Sequence, residues 1–399
     1  MEGVLNPLSR RAMRTVALAG AVATAAAAVI AQKSALAEAL RGGRPVVGVL
    51  FGTDLVDHSR HSDTILWWRY NPAEARLDVL SIPRDTRVGG TGRRFRRINE
   101  VYAAQFAQTH DDRRASEALR EAIGGLLGVA GTPLEPRQWV HVDYEGFRRF
   151  VDTVGGVRVH VDEPMNYDDK AGDLHIHYEP GEYVLSGSRS LEYVRFRGRS
   201  GDRGRILRQM DFFRALIHKA ASPEIFLRWP RLLAVAAGGL RSNLTWPDLL
   251  CLAVEVKHVR PERITPAILP GRPVGAEWAV DEKRLAYMMA QWGAVVAEPP
   301  PAGPLANKIT IRVGNATRRQ GLALSATRRL RAAGFDVVDW GDYNARQTKT
   351  RVVDRVGAIE NARKVAQALG TDFVLSDVDP SLRTDVEVVL GDDYLEGRQ

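Results

Sequence analysis

Cysteine occurs once in 399 residues, at Cys251, so no intramolecular disulfide can brace the chain. Its setting, LLCLAV, reads as that of a small buried hydrophobe. Zinc-type Cys/His spacing is missing, as are an RNA-binding aromatic signature and a helix-turn-helix with a basic recognition helix. No internal repeat occurs, which argues against solenoids and propellers. Neither sign of charge dominates: 56 basic and 48 acidic residues leave a formal charge of +8. That balance suits anionic partners in general, and with no recognition motif beside it no nucleic acid is expected. What is present is enough apolar material, 45% of residues, for more than one core, and the length is consistent with two or three domains.

The N-terminus bears on compartment. Arg10, Arg11 and Arg14 precede an uncharged, alanine-rich run from Thr15 to Gln32, near the lower end of the roughly 17–25 residues that span a bilayer. Positive charge ahead of it places the remainder outside. Ser9-Arg10-Arg11 is similar to a twin-arginine export signal, and Ala35-Leu36-Ala37 fits a small-residue cleavage site. Residues 1–43 therefore read as a membrane anchor or as a cleaved export signal. Both versions put the chemistry outside the cytoplasm.

Val46 to Gly52, Thr64 to Tyr70 and Leu77 to Ile82 are short β-rich runs bounded by Asp, His, Asn and Pro, and read as consecutive strands. Their connections, Thr53 to Asp63 and Asn71 to Arg76, are too short for parallel crossovers, so the strands form an antiparallel meander. That topology brings Asp54, Asp63 and Arg84 to one edge of the sheet. Two carboxylates suit a hard cation, Mg²⁺ or Mn²⁺ in its place, and arginine supplies a two-pronged donor to phosphate oxygens. Singly, such residues more often cap turns or sit in solvent.

A second cluster lies in LEYVRFRGRSGDRGRILRQMDFFRALIHKA. Arg195 and Arg197 alternate along a short extended or irregular segment, and a helix is predicted from about Asp202 to Ala220. Arg205 and Gln209 share a face of it at i and i+4, Phe212 and Leu216 continue that face, and Ile206, Met210, Phe213 and Ile217 form an adjoining apolar stripe. One side of the helix thus runs from cation and amide to purely apolar, the polarity of a lipid phosphate. An apolar stripe alone is ordinary core, but clustered donors indicate anion recognition.

In order, GTD, SDTI, SIPRDT, the IN of Ile98-Asn99, GGV at Gly155 to Val157, LSG at Leu185 to Gly187, LEYVRFR and GRILRQ resemble the LytR-CpsA-Psr family of cell-wall glycopolymer ligases. The likeness covers about residues 44–298, and residues from about 306 to 393 resemble the smaller LytR C-terminal domain. It implies that Asp54 and Asp63 bind Mg²⁺, that Arg84, Arg195, Arg197 and Arg205 clamp a pyrophosphate, and that Gln209 and Asn99 contact substrate, with Phe212 and Leu216 against the lipid tail. Where the family pattern has arginine before the serine of SDT, this chain has His61, with Arg60 one place earlier. Arg60 then replaces the missing charge from a shifted loop, or His61 makes a pH-dependent contact.

The resemblance further implies an extracytoplasmic phosphotransferase that moves a glycopolymer from a polyprenyl-pyrophosphate carrier to peptidoglycan or another wall polymer at the membrane. A pyrophosphatase, with water as acceptor, and a non-catalytic lipid- or glycan-binding regulator are the alternatives. The expected fold is α/β, a layered mixed β-sheet flanked by helices over 44–298, followed by a Pro-rich linker at 299–305 and a smaller α/β unit over 306–399. Residues 223–297 read as apolar and largely helical, with Trp229, Trp246, Trp278 and Trp292 as core.

Overall fold

The computed structural model describes residues 34–53, 62–88, 96–169, 174–196, 198, 201–226, 228, 231–232, 235, 240–256, 258–293, 309–379 and 381–394. Asp54, Arg60, His61 and Arg197, the run from Thr15 to Gln32, Trp229 and the linker at 299–305 lie outside them. No helix among the described residues is long and apolar enough to cross a membrane.

The first helix, α1 (Ala35–Arg41), is capped by Ser34, whose Oγ accepts from the Leu36 and Ala37 amides at 3.1 Å. Leu36, Ala37 and Leu40 are buried, the two leucines in a cluster with Val46, Tyr70 and Ile217. The Ala35-Leu36-Ala37 motif is thus the first turn of a packed helix. The expected meander follows as β1 (Val46–Thr53), β2 (Ser62–Asn71) and β3 (Arg76–Ser81), both pairs antiparallel. Asp63 falls inside β2 rather than ahead of it. Gly52 pairs with Thr64 and Thr53 with Ser62, so Asp63 is the extra residue of a bulge.

Helices α2 (Ile98–Thr109) and α3 (Asp112–Leu126) lead to β4 (Gln138–Asp143), which runs parallel to β1. After α4 (Tyr144–Val154) come β5 (Val157–Val161), β6 (Met165–Asp169), β7 (Leu174–Tyr178) and β8 (Gly181–Leu185), with β5 paired to β8 and β6 to β7. Next are α5 (Gly187–Arg195) and α6 (Gly201–Ala220). Arg195 is therefore helical, not extended. Gly187, Ser190 and Tyr193 are its buried positions, a spacing of three that outweighs the strand-like look of Tyr-Val-Arg-Phe.

The stretch read as largely helical instead mixes β9 (Leu240–Ser242), α7 (Trp246–Val256), β10 (Ile264–Ile268), a hairpin of β11 (Gly271–Val274) and β12 (Glu277–Val280), and α8 (Glu282–Gln291). Cys251, on α7, is half-buried rather than fully enclosed. The C-terminal unit comprises β13 (Thr310–Asn315), α9 (Leu322–Ala332), β14 (Asp336–Asp342), β15 (Arg351–Asp354), α10 (Ile359–Leu369), β16 (Val374–Ser376) and β17 (Val386–Leu390). It has a core of its own. Its sheet nevertheless joins the first one, because Ala267 of β10 pairs with Ser376 of β16. The result is one mixed sheet of eleven strands, ordered β14-β13-β17-β15-β16-β10-β3-β2-β1-β4-β9.

Alternation along β1 and β2 gives this sheet two unlike faces. Val49, Phe51, Ile65 and Trp67 turn towards α2, α3 and α8 and are buried, with Trp67 stacked on Trp292 at 5.4 Å. Leu50, Gly52, Thr64 and Leu66 turn the other way, towards α6.

Candidate functional site

A cavity of about 580 Å³ lies between that second face and α6. Leu50, Leu66, Val140 and Val142 form its floor. Arg205, Gln209, Phe212, Phe213, Leu216, Ile217 and Ala220 form its roof, at the three- and four-residue spacing of one helix face. Phe147 and Phe150 of α4 and Leu191 and Val194 of α5 close the side.

Arg84, Arg195 and Arg205 all line this space, although they lie in three separate segments. Arg84 occupies a tight turn closed by Thr86, whose amide donates to the Pro83 carbonyl at 2.9 Å. Its Nε is 3.6 Å from Asp85, which Arg97 also engages at 3.2 Å. The Asn99 amide donates to the Arg84 carbonyl at 3.2 Å. Asn99 is thus a brace behind Arg84 rather than part of the cavity wall. Its Oδ1 is buried without a hydrogen-bond partner among the described residues.

Arg195 closes α5, with its guanidinium 5.2 Å from the centre of the Tyr144 ring. The position of α5 depends on Gly187. Its amide donates to Asp152 at 2.7 Å, and a Cβ there would collide with the Arg148 backbone. Gly155, with φ at +86°, turns the chain from α4 into the strand that follows. These two contacts give the GGV and LSG motifs a physical meaning.

Arg205 is 9% exposed. Gln209 Nε2 donates to the Val194 carbonyl at 3.1 Å, and Arg208 donates to the Phe196 carbonyl at 2.7 Å. Both bonds tie α6 to the end of α5, where Arg195 sits. Gln209 therefore positions an arginine as well as lining the cavity. Burial pulls the Arg208 guanidinium below its usual range, against the raising effect of Tyr193 and Asp211.

Phe212 and Leu216, expected at the lipid tail, both reach the cavity. Phe212 is also core: it is 3% exposed and packs against Phe147 and Tyr193. A charge at Phe212 would therefore damage the fold, and Leu216, half-buried at the edge of that cluster, is the cleaner probe of the tail. Trp292 and partly buried Trp278 belong to the opposite, filled face, as core.

Sequence reasoning missed Asp143, Tyr144, Phe147, Phe150 and Tyr167 on the cavity wall. The spacing of Tyr144, Phe147 and Phe150, three residues apart, was the available signal. Asp143 is the sole carboxylate residue among the described lining residues, and it caps α4 by accepting from the Gly146 amide at 2.6 Å. Three guanidinium groups against one carboxylate favour an anion. The apolar remainder favours a hydrocarbon. The arrangement matches an amphiphile with an anionic head.

The model of the LytR_cpsA_psr family matches residues 20–292, and that described as LytR cell envelope-related transcriptional attenuator matches residues 308–394. The polyisoprenyl-teichoic acid–peptidoglycan teichoic acid transferases TagU of Bacillus licheniformis and Bacillus subtilis are 27% and 28% identical over 220 and 221 residues, 54% of this chain in each case. B. subtilis TagV, a transferase of the same name, is 28% identical over 199 residues, 48% of this chain. The matched stretches span 65% of both TagU proteins and 47% of TagV. Among solved structures, B. subtilis TagV has a TM-score of 0.50 at 23% identity, covering 61% of this chain and 93% of its own. Protein gbs0355 of Streptococcus agalactiae has a TM-score of 0.51 at 20% identity, covering 65% and 88%. Both likenesses concern the fold.

Proposed function

Because the chain belongs to the LytR_cpsA_psr family, we propose that it is an extracytoplasmic phosphotransferase that moves a glycopolymer from a polyprenyl-pyrophosphate carrier to peptidoglycan or another wall polymer. The observation that carries this reading is the convergence of Arg84, Arg195 and Arg205 on one largely apolar cavity. Relatives named as teichoic acid transferases support it.

An acceptor sugar hydroxyl attacks the phosphorus that bears the glycan. A new P–O bond forms as the bridging P–O bond breaks, and the bridging oxygen leaves with the electron pair as polyprenyl phosphate. The hydroxyl proton passes to solvent or to a carboxylate at the sheet edge. The arginines stabilise charge on the non-bridging and leaving oxygens. Phe213, Leu216 and Ile217 shelter the prenyl chain from water.

We propose further that a divalent cation is held by Asp54, which lies outside the described residues, and Asp63. Thr53 and Ser62 are cross-strand partners, so each acid follows one member of a pair. Mg²⁺ or Mn²⁺ held by these two carboxylates would offset pyrophosphate charge. Burial of Leu36 and Ala37 supports the anchored reading of the N-terminus, because cleavage after Ala37 would remove the Ser34 cap and two packed side chains.

Incubating the full chain with a polyprenyl-pyrophosphate-linked glycan and a wall acceptor, then resolving products by mass, tests the reading. Acceptor that gains glycan phosphate, with matching release of polyprenyl phosphate, is the expected outcome. Hydrolysis alone, or binding without turnover, would overturn it.

A further inference from the structure

Helix α6 has two working faces, and only one belongs to the cavity. Arg203, Leu207, Asp211 and Arg214 form a second stripe, offset by two residues from Arg205, Gln209, Phe213 and Leu216 and hence on the opposite side. Every member of that second stripe meets the C-terminal unit. Arg203 makes a two-pronged ion pair with Asp377, Nε to Oδ2 at 2.8 Å and Nη2 to Oδ1 at 2.6 Å, and reaches Asp379 at 3.4 Å. Leu207 packs against Val353, Phe373 and Leu375. Asp211 accepts from Arg351 at 2.8 Å. Arg214 and Arg351 both lie over the Phe373 ring, at 4.1 and 5.3 Å from its centre.

We infer that the C-terminal unit is a positioning element of the pyrophosphate clamp: through Arg203 and Asp211 it fixes the rotation of α6 about its axis and thereby the place of Arg205. This rests on the function proposed above, since it assigns the unit a task in that site. On the cavity side α6 is held by apolar packing at Phe212, Phe213 and Ile217, and the directional ion pairs that can set its rotation lie on its other face, at Arg203 and Asp211. At a side-chain radius of about 6 Å, a rotation of roughly 10° moves a guanidinium about 1 Å, and a misplacement of that size costs on the order of 10²-fold where groups must meet a reacting centre. The same movement reaches Arg195, because Gln209 and Arg208 bond to the Val194 and Phe196 carbonyls at the end of α5. Charged pairs suit this task, since two-pronged geometry specifies orientation where a greasy contact permits sliding. Neither Arg203 nor Asp211 lines the cavity.

The test uses the full chain and two probes presented in the same detergent micelles, geranylgeranyl pyrophosphate and geranylgeraniol, which share a tail and differ in the head. Arg203→Gln is the first variant, because Arg203 is 40% exposed and its loss leaves the core filled. Arg351→Gln is the second, with Arg351→Lys as the conservative partner that keeps a charge opposite Asp211. Coupling carried through packed elements changes affinity about two- to thirtyfold, and about tenfold weaker pyrophosphate binding is expected for both Gln variants. Geranylgeraniol binding should stay within about twofold. Arg351→Lys should recover most of the loss, and kcat should fall more than KM rises. Equal weakening of both probes, or no weakening of either, would overturn the inference and reduce the unit to scaffold. Absence of pyrophosphate binding by the unmodified chain would instead overturn the function on which it rests, so the two failures are distinguishable.

Discussion

The two faces of β1 and β2 are built from neighbouring residues and meet opposite fates. Val49, Phe51, Ile65 and Trp67 are sealed under three helices, while Leu50, Gly52, Thr64 and Leu66 floor a cavity of about 580 Å³. Both sets are mostly apolar, so hydrophobicity does not separate core from binding site. The difference lies in the cover. Ile123, Leu119, Met288 and Trp292 descend into the first face, whereas α6 meets the second at Met210 and Phe213, against Leu66 and Val79, and leaves space beside α4 and α5. A ligand site here is a face of the sheet left partly unfilled, with arginines on its wall.

That contrast can be broken from either side. The largest effect is expected on the filled face. Trp67→Ala removes a fully buried ring stacked on Trp292 and should cost about 3–5 kcal/mol in urea unfolding without changing ligand preference. Arg205→Lys keeps the charge of the cavity face but loses the planar fork, and should lower kcat on the order of 10²-fold, with the unfolding midpoint little changed. Leu216→Asp places a charge where the prenyl chain is held. It should weaken geranylgeranyl pyrophosphate by roughly tenfold or more while sparing isopentenyl pyrophosphate, and a direct binding titration of both separates tail from head. Asp63→Asn should raise the Mg²⁺ concentration for half-maximal turnover severalfold and leave the circular dichroism spectrum unchanged. Activity equal to that of the unmodified chain in limiting Mg²⁺ would remove this carboxylate from the site.

Much of this organisation is legible in the sequence. Short connections dictate the meander, and the spacing of Arg205, Gln209, Phe212 and Leu216 discloses the cavity face of α6. What is hidden has physical causes. β10 reads poorly as a strand because Pro266 has no amide to donate. It is tolerated there because β10 meets β16 at the single pair Ala267 and Ser376, and so the junction of the two sheets is concealed as well. The helix ending at Arg195 is masked by β-favouring side chains whose burial is set by tertiary packing against α4. The second stripe of α6 looks like solvated charge until Asp377 and Arg351, about 170 and 140 residues away in the chain, are seen to answer it. Phe212 serves core and cavity together, a double role that periodicity alone does not reveal.

Photocrosslinking measures directly whether the prenyl chain lies between the sheet and α6. A polyprenyl pyrophosphate bearing a diazirine near the end of its tail would be irradiated on the full chain and the labelled peptide sequenced by mass spectrometry. Label within α6 from Phe213 to Ala220, or on Phe147 and Phe150, is the predicted result. Label on α8 or on the C-terminal unit, at the same occupancy, would contradict it.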